Sequence, residues 1–191
     1  CEGLRGAMAK LRLPEFTPYT RTIYLDADCL LFSPRIAFFW RQYRGQPFVV
    51  EGHRQSAGAV FACSIGEKDA GVLCRLLDIP FVGAFNAGVI YFEGDGGGVF
   101  SRARDYFAGP HREAISYRYK HEGEYADEPF FGAALGALRI APLEPSPTQR
   151  LQVTTPNIVE AVMDLDTGDL CVLKQAPGGK ARNWAGVVGH F

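Results

Sequence analysis

Residues 22–32 read TIYLDADCLLF, an apolar segment interrupted by the two carboxylates Asp26 and Asp28. The first half of this segment is β-branched and aromatic, which favours a buried β-strand. An ionised carboxylate without a partner in such a strand costs on the order of several kcal/mol. Side chains two residues apart in an extended backbone share one face. The segment therefore predicts a strand that ends at the acids, with both carboxylates facing a site.

Strand-like and helix-like segments alternate through the first two thirds of the chain. Segments at residues 47–52 and 85–92 predict buried strands, and amphipathic runs at 34–44, 67–78 and 99–109 predict helices. This alternation predicts a single α/β domain over residues 1–191, with a mixed, mainly parallel sheet flanked by helices. The turn sequence DTGD at 166–169 predicts a small β-hairpin near the C-terminus.

Two further helices carry polar residues of interest. Residues 4–13 have apolar side chains at helical intervals and include Lys10, and Pro14 is expected to end this helix. Residues 126–138 predict a helix with Asp127 and Glu128 in its first turn, where acids are favoured by the helix dipole.

The D-x-D spacing occurs twice, at Asp26/Asp28 and at Asp164/Asp166. The second pair flanks a turn, where aspartate caps the local backbone and faces water. The first pair follows a buried strand, and ligands of open α/β sheets bind beyond the strand ends. Two carboxylates on one side provide hard oxygen ligands for a divalent cation. Asp26 and Asp28 are therefore the predicted metal pair.

Composition excludes some classes of partner. The formal net charge of -1 gives no electrostatic case for nucleic acid, and no apolar run reaches the length of a membrane span. The five cysteines are odd in number and include no C-x-x-C, which argues against a disulfide framework and a zinc ribbon. We expect free thiols and a reducing, cytoplasmic setting.

Four motifs in order resemble family 8 glycosyltransferases, the group with the GT-A (nucleotide-diphospho-sugar transferase) fold that includes glycogenin and bacterial galactosyl- and glucosyltransferases. A helix with a basic residue leads into a strand ending YLDAD. FNAGVIYF resembles the N-[AS]-G-V strand of the family, YADEPFFGAAL its D-Q helix start, and VVGHF its V-x-H-F segment. The resemblance spans about residues 10–190. It implies a metal-dependent transfer of a hexose from a nucleotide-sugar, usually a UDP-sugar, to an acceptor hydroxyl with retention.

The resemblance also implies ligands for the metal and the donor. Asp26 would bind the metal and the ribose side of the nucleotide, Asp28 the metal directly, and His190 would be the third ligand. A nitrogen beside two carboxylates shifts the preference from Mg²⁺ toward Mn²⁺. Lys10 would approach the donor sugar or its phosphates, and Ala27 would offer its backbone to the donor. A solvated helix face for Lys10 and a terminal, uninvolved His190 are the alternatives.

The remaining implied residues lie around the sugar. Asn86 would bind donor or acceptor hydroxyls, and Gly88 would let the backbone approach the ligand or would serve packing alone. Asp127 would hold a sugar hydroxyl. The chain departs from the family at Glu128, where the family has Gln. A carboxylate there would act as a nucleophile or ion-pair stabiliser near the anomeric carbon, or would only favour the helix dipole.

Two other readings of the sequence stay open. A haloacid-dehalogenase-type phosphohydrolase also has a strand ending in D-x-D. That fold needs Gly-Thr, or at least Thr or Val, after the second Asp, whereas Cys29 and Leu30 follow Asp28 here. A GT-A-like module that binds a sugar or nucleotide without turnover is the second alternative. The family carries base-binding sequence before the segment that includes Lys10 and a phosphate-binding segment after His190, so we expect a chain truncated at both ends.

Overall fold

The computed structural model describes residues 6–31, 33–57, 60–61, 68–116, 125–145, 150–154, 158–164, 166, 169–175 and 181–190. Helices and strands both occur along this part of the chain, so the fold is mixed α/β.

The described helices begin with a 3₁₀ helix that runs directly into a short α-helix. They are the 3₁₀ helix (Gly6–Arg12), α1 (Leu13–Phe16), α2 (Ile36–Gln42), α3 (Ala70–Leu77), α4 (Val99–Ala108), α5 (Arg112–Ile115) and α6 (Glu128–Leu138). None of these described helices has the length and apolar character needed to cross a membrane. The first helix ends at Arg12, two residues before Pro14, and Pro14 itself lies in the first turn of α1, where a proline ring is tolerated.

The described strands form four small sheets. They are β1 (Arg21–Leu25), β2 (Cys29–Leu31), β3 (Phe48–Val49), β4 (Gly52–Gln55), β5 (Val60–Phe61), β6 (Lys68–Asp69), β7 (Val82–Phe85), β8 (Val89–Glu93), β9 (Arg150–Thr154), β10 (Ile158–Asp164), β11 (Asp169–Gln175) and β12 (Ala181–His190). One sheet has the order β1-β8-β3, and a second has the order β10-β11-β12-β2 with β9 also paired to β12. The pairs β4-β7 and β5-β6 stand as two-stranded sheets.

The predicted mainly parallel sheet is wrong. Among the described strands, β9 with β12 is the parallel pair, and the other pairs are antiparallel. The strand predicted over residues 85–92 is divided by a turn at residues 86–88, since β7 ends at Phe85 and β8 begins at Val89. The apolar run from Val89 to Phe92 is buried throughout, as predicted, but β8 runs antiparallel to both of its neighbours. A continuous apolar run therefore reports burial on both faces of a strand and carries no information on strand direction.

The predicted hairpin near the C-terminus is confirmed. Strands β10 and β11 pair antiparallel, with Asp164 opposite Asp169 at the closed end. Asp166, between the two strands, is exposed to solvent. For Asp166 this agrees with the expectation of a solvent-facing turn, and the side chain of Asp164 lies outside the described part of the structure.

Helix α6 packs against β7 at a distance that two glycines permit. A Cβ added to Gly132 would lie 2.3 Å from the carbonyl oxygen of Gly83, and one added to Gly136 would lie 1.9 Å from that of Phe81. Aromatic side chains of α4, α6 and β3, including Phe100 and Phe131, fill the core beside this contact. The close approach brings the first residues of α6 to the end of β7.

Replacing Gly136 with alanine is expected to destabilise the fold. Alanine gains about 1 kcal/mol of helix propensity over glycine, but its Cβ would meet the backbone oxygen of Phe81, which must shift. We expect a net loss of about 2 kcal/mol in the free energy of unfolding, measured by urea denaturation. Arg102→Ala, an exposed change in α4, is the control and should have little effect. A Gly136→Ala variant as stable as the wild type would contradict this packing.

Candidate functional site

Strand β1 leads to a carboxylate whose two oxygens both have partners. The amide of Asp26 donates to the carbonyl oxygen of Gly88 at 2.9 Å, which continues the β1-β8 ladder by one residue. The hydroxyl of Tyr24 donates to Oδ1 of Asp26 at 2.6 Å, and Nζ of Lys10 donates to Oδ2 at 2.8 Å. Strand β1 thus ends directly before Asp26, as predicted from TIYLDADCLLF. The two hydrogen bonds hold the Asp26 carboxylate in one orientation.

Lys10 connects three segments of the chain. Besides its bond to Asp26, its Nζ donates to the carbonyl oxygen of Ala87 at 3.3 Å and lies 3.5 Å from Oδ2 of Asp127. The Lys10 side chain is 14% exposed, so the predicted alternative of a solvated helix face is wrong. Burial lowers the pKa of Lys10, but Asp127 and Asp26 together outweigh this and raise the pKa.

Asp127 precedes the first residue of α6 and is 5% exposed. Among the described residues its Oδ2 has no hydrogen-bond partner, because the 3.5 Å separation from Nζ of Lys10 is an ion-pair distance. Burial raises the pKa of Asp127, and the charge of Lys10 opposes this rise. The described hydrogen bonds thus leave one oxygen of this buried carboxyl without a donor, although a cation lies close by.

Glu128 lies in the first turn of α6 and faces the turn between β7 and β8. Its Oε1 accepts a hydrogen bond from the amide of Ala87 at 3.1 Å. Burial, followed by the repulsion of Asp127, raises the pKa of Glu128 to about 7. Glu128 is therefore a carboxyl group that changes charge near neutral pH, held at a fixed position by a backbone donor.

Asn86 and Gly88 organise the turn that carries Ala87. Oδ1 of Asn86 accepts from the amide of Gly88 at 2.8 Å and from Nε2 of Gln152, on β9, at 2.5 Å. The carbonyl oxygen of Gly88 accepts from Asp26. The described contacts of Asn86 and Gly88 thus shape the turn itself, and a contact of Asn86 with a sugar hydroxyl stays a prediction.

Ala27 and Asp28 lie in the exposed turn between β1 and β2. Cys29 follows as a free thiol whose Sγ donates to the carbonyl oxygen of Gly88 at 3.4 Å. In the antiparallel pair of β2 and β12, Cys29 lies opposite His190. The backbone thus brings His190 to a position one residue along the strand from Asp28, although the side chain of His190 lies outside the described part of the structure.

A cleft of about 590 Å³ opens beside these acids. Its polar end is formed by Lys10, Asp26 and Asp28, and its apolar wall by the 3₁₀ helix, α1 and Tyr24. The exposed ring of Phe16 stands at the rim. A cleft of this size can hold a small organic ligand with a charged end.

The residues present suit a divalent cation. Both Asp26 and Asp28 line the cleft, and carboxylate oxygens are ligands that hard divalent cations prefer. Within the described side chains, no group of three histidine, cysteine or acidic residues could hold a metal ion. The third ligand implied by the resemblance, His190, has only its backbone described, at the position opposite Cys29. Two carboxylates with one imidazole are a donor set that Mn²⁺ accepts.

Comparison with known proteins gives no independent assignment. No family model, no curated protein and no solved structure matches this chain. The resemblance to family 8 glycosyltransferases therefore depends on the motifs and on their order along the chain.

The structure adds three residues to the site that the sequence did not indicate. Tyr24 and Asp26 are two residues apart on one strand face, so the period of a strand was a sufficient signal for their contact. Gln152 and Glu51, which contact Asn86 and the backbone of β9 respectively, carry no local signal in the sequence. Only the packing of distant segments brings them to the site.

Proposed function

We propose that the chain is a metal-dependent glycosyltransferase of the GT-A type. It would transfer a hexose from a nucleotide-sugar, such as a UDP-hexose, to an acceptor hydroxyl with retention of configuration. The observation that carries this proposal is the meeting of Lys10, Asp26, Asp127 and the Ala87–Glu128 contact at one end of β1. These residues come from the segments that resemble the family motifs, and two of them, Lys10 and Asp26, line the cleft.

Asp26, Asp28 and His190 would hold the metal, which would supply Lewis acidity to neutralise the leaving diphosphate. Lys10 and Tyr24 hold the Asp26 carboxylate in one orientation, so this ligand needs no reorganisation when the donor binds. Ala27, in the exposed turn between the two acids, would present its backbone to the donor.

The carboxyl groups of α6 would act on the sugar. Asp127 would accept a hydrogen bond from a sugar hydroxyl with its unbonded oxygen. Glu128, once ionised, would stabilise the positive charge that develops at the anomeric carbon. Alternatively it would attack that carbon as a nucleophile while the bond to the diphosphate breaks, after which the acceptor hydroxyl loses its proton and displaces the carboxylate. The amide of Ala87 fixes the Glu128 carboxyl while it does so.

Two assays test the proposal. Calorimetry measures binding of UDP with and without Mn²⁺, and a coupled assay measures UDP release from UDP-glucose and UDP-galactose. We expect UDP to bind only with Mn²⁺ and at least one donor to release UDP. The Asp28→Ala variant should bind Mn²⁺ and UDP at least about tenfold more weakly, because one of two hard-oxygen ligands is lost.

Asp164→Ala is the matched control, since it removes an acid from the other D-x-D pair, at the closed end of the hairpin. This variant should bind Mn²⁺ and UDP as the wild type does. Metal-dependent binding of UDP without UDP release would favour the non-catalytic binding module. A wild-type chain that shows no Mn²⁺-dependent binding of UDP would contradict the proposed function.

A further inference from the structure

Glu51 forms a contact that neither the motifs nor the proposed chemistry explains. It lies between β3 and β4, far along the chain from β9. Its Oε1 accepts from the amide of Leu151 at 2.6 Å, and its Oε2 accepts from the amide of Gln152 at 3.2 Å. One carboxylate thus holds two consecutive backbone amides of β9, and charge-assisted bonds of this kind are stronger than neutral ones.

The held strand connects the two larger sheets. Leu151 is buried in a cluster with Tyr43, Val49, Val89 and Tyr91, which belongs to the β1-β8-β3 sheet and α2. On its other side, β9 pairs in parallel with β12. The carboxylate of Glu51 therefore sets where the sheet that contains β12 sits against the sheet that contains β1.

Two sets of contacts lead from β9 to the candidate site, one through the side chain of Gln152 and one through the pairing of β9 with β12. Gln152 donates its side-chain amide to Asn86, which shapes the Ala87 turn. Thr154 lies opposite His190 in the β9-β12 pair, and His190 lies opposite Cys29 in the β12-β2 pair. A shift of β9 therefore moves the backbone of His190 relative to Asp28, a distance on which a metal site depends.

We propose that Glu51 is a positioning residue of the metal site, which acts through β9 on the position of His190. This inference depends on the proposed function, because it assumes that His190 is a metal ligand. Groups that hydrogen-bond to metal ligands typically change metal affinity by about 10–100-fold when they are altered, and Glu51 acts one step further away, so we expect an effect at the lower end. Glu51 does not line the cleft, so its effect on the metal is indirect.

The experiment measures Mn²⁺ affinity in the whole chain by calorimetry for the wild type, Glu51→Gln, His190→Ala and the double variant. Glutamine keeps the shape of Glu51 but turns one of the two acceptor oxygens into a donor that faces a backbone amide. We expect about tenfold weaker binding for Glu51→Gln. In the His190→Ala background the same change should alter the affinity by less than about twofold, because the two residues act through one path.

The control is Glu144→Gln, which changes a mostly exposed glutamate that contacts His53 and should leave Mn²⁺ affinity unchanged. If Glu51→Gln does not fold, Glu51→Asp takes its place, because the shorter side chain cannot span both amides. Glu51→Gln with the affinity of Glu144→Gln would overturn the inference. An equal loss with and without the His190 side chain would overturn it too, because a general structural defect does not need that side chain.

A second readout needs no metal and separates this inference from the proposed function. Amide hydrogen exchange should become at least about tenfold faster at Leu151, Gln152 and residues 188–190 in Glu51→Gln, and stay unchanged in the β10-β11 hairpin. A wild-type chain that does not bind Mn²⁺ would contradict the proposed function and the metal role of Glu51. Unchanged exchange at residues 188–190 would overturn the positioning of β12 by Glu51, whatever the metal does.

Discussion

The Lys10→Met variant is expected to lose about 3–5 kcal/mol of folding free energy at about pH 8. Methionine keeps the length of the side chain and its packing but removes the cation. Asp26 then loses a 2.8 Å hydrogen bond, and the buried Asp127 loses the charge 3.5 Å away that compensates its own. Removal of one partner from a buried ion pair leaves an uncompensated charge, which is far less favourable than the intact pair.

The loss for Lys10→Met should be smaller at about pH 5. The pKa values of Asp127 and Glu128 are already raised in the wild type, and removal of the cation raises them further, so both groups can take up protons and shed the unfavourable charge. Urea denaturation at the two pH values measures the difference. Equal losses at both pH values would contradict a carboxylate cluster held together by Lys10.

Arg12→Met is the matched control. Arg12 belongs to the same 3₁₀ helix and forms an ion pair with Glu15, at 2.5 Å, but Glu15 is exposed and Arg12 is partly exposed. An exposed pair of this kind contributes little to stability. The control should therefore show no measurable change at either pH.

The sequence was sufficient to predict that Asp26 ends a strand and that Asp127 and Glu128 begin a helix. Both predictions depend on local physics, the cost of a carboxylate in an apolar strand and the dipole of a helix. The observed strand β1 ends at Leu25, directly before Asp26. Helix α6 begins at Glu128, directly after Asp127. The order of the motifs further indicated that these acids belong to one site, and the structure brings them to Lys10.

Strand direction and long-range contacts were beyond the reach of the sequence. The apolar run of β8 predicts a strand buried on both faces equally well for a parallel and an antiparallel partner. The side chain that contacts Asn86 comes from Gln152, which is 66 residues further along the chain, and no local pattern indicates which residue it meets. Contacts of this kind are set by how separate elements pack, which no local pattern encodes.

Glu128→Gln is expected to stabilise the fold above about pH 7. The pKa of Glu128 rises from its ordinary value of 4.5 to about 7 on folding. Between these pH values the unfolded chain releases the proton and the folded chain keeps it. The free energy of unfolding of the wild type therefore falls as pH rises from about 4.5 to about 7. The loss that comes from Glu128 is on the order of 3 kcal/mol, and it persists above about pH 7. Glutamine removes the titration and keeps an oxygen for the amide of Ala87.

Urea denaturation across about pH 4 to 8 measures this effect. The wild type should lose stability through the interval, and Glu128→Gln should show a flatter profile and a higher value at about pH 8. Glu15→Gln is the control, because Glu15 is exposed and its pKa is lowered by Arg12. The pH dependence that Glu15 contributes lies below about pH 4.5. The Glu15→Gln profile above this value should therefore run parallel to that of the wild type, with at most the small constant loss of an exposed ion pair.

The same Glu128→Gln variant separates a catalytic role from a structural one, because the two predict opposite signs. If Glu128 stabilises charge at the anomeric carbon, loss of its carboxylate should lower the rate of UDP release by about a hundredfold or more while the fold becomes more stable. Family 8 enzymes, which the chain resembles, have glutamine at this position. A Glu128→Gln variant that is more stable and fully active would therefore assign Glu128 to holding the Ala87 turn and would contradict a direct role in the chemistry.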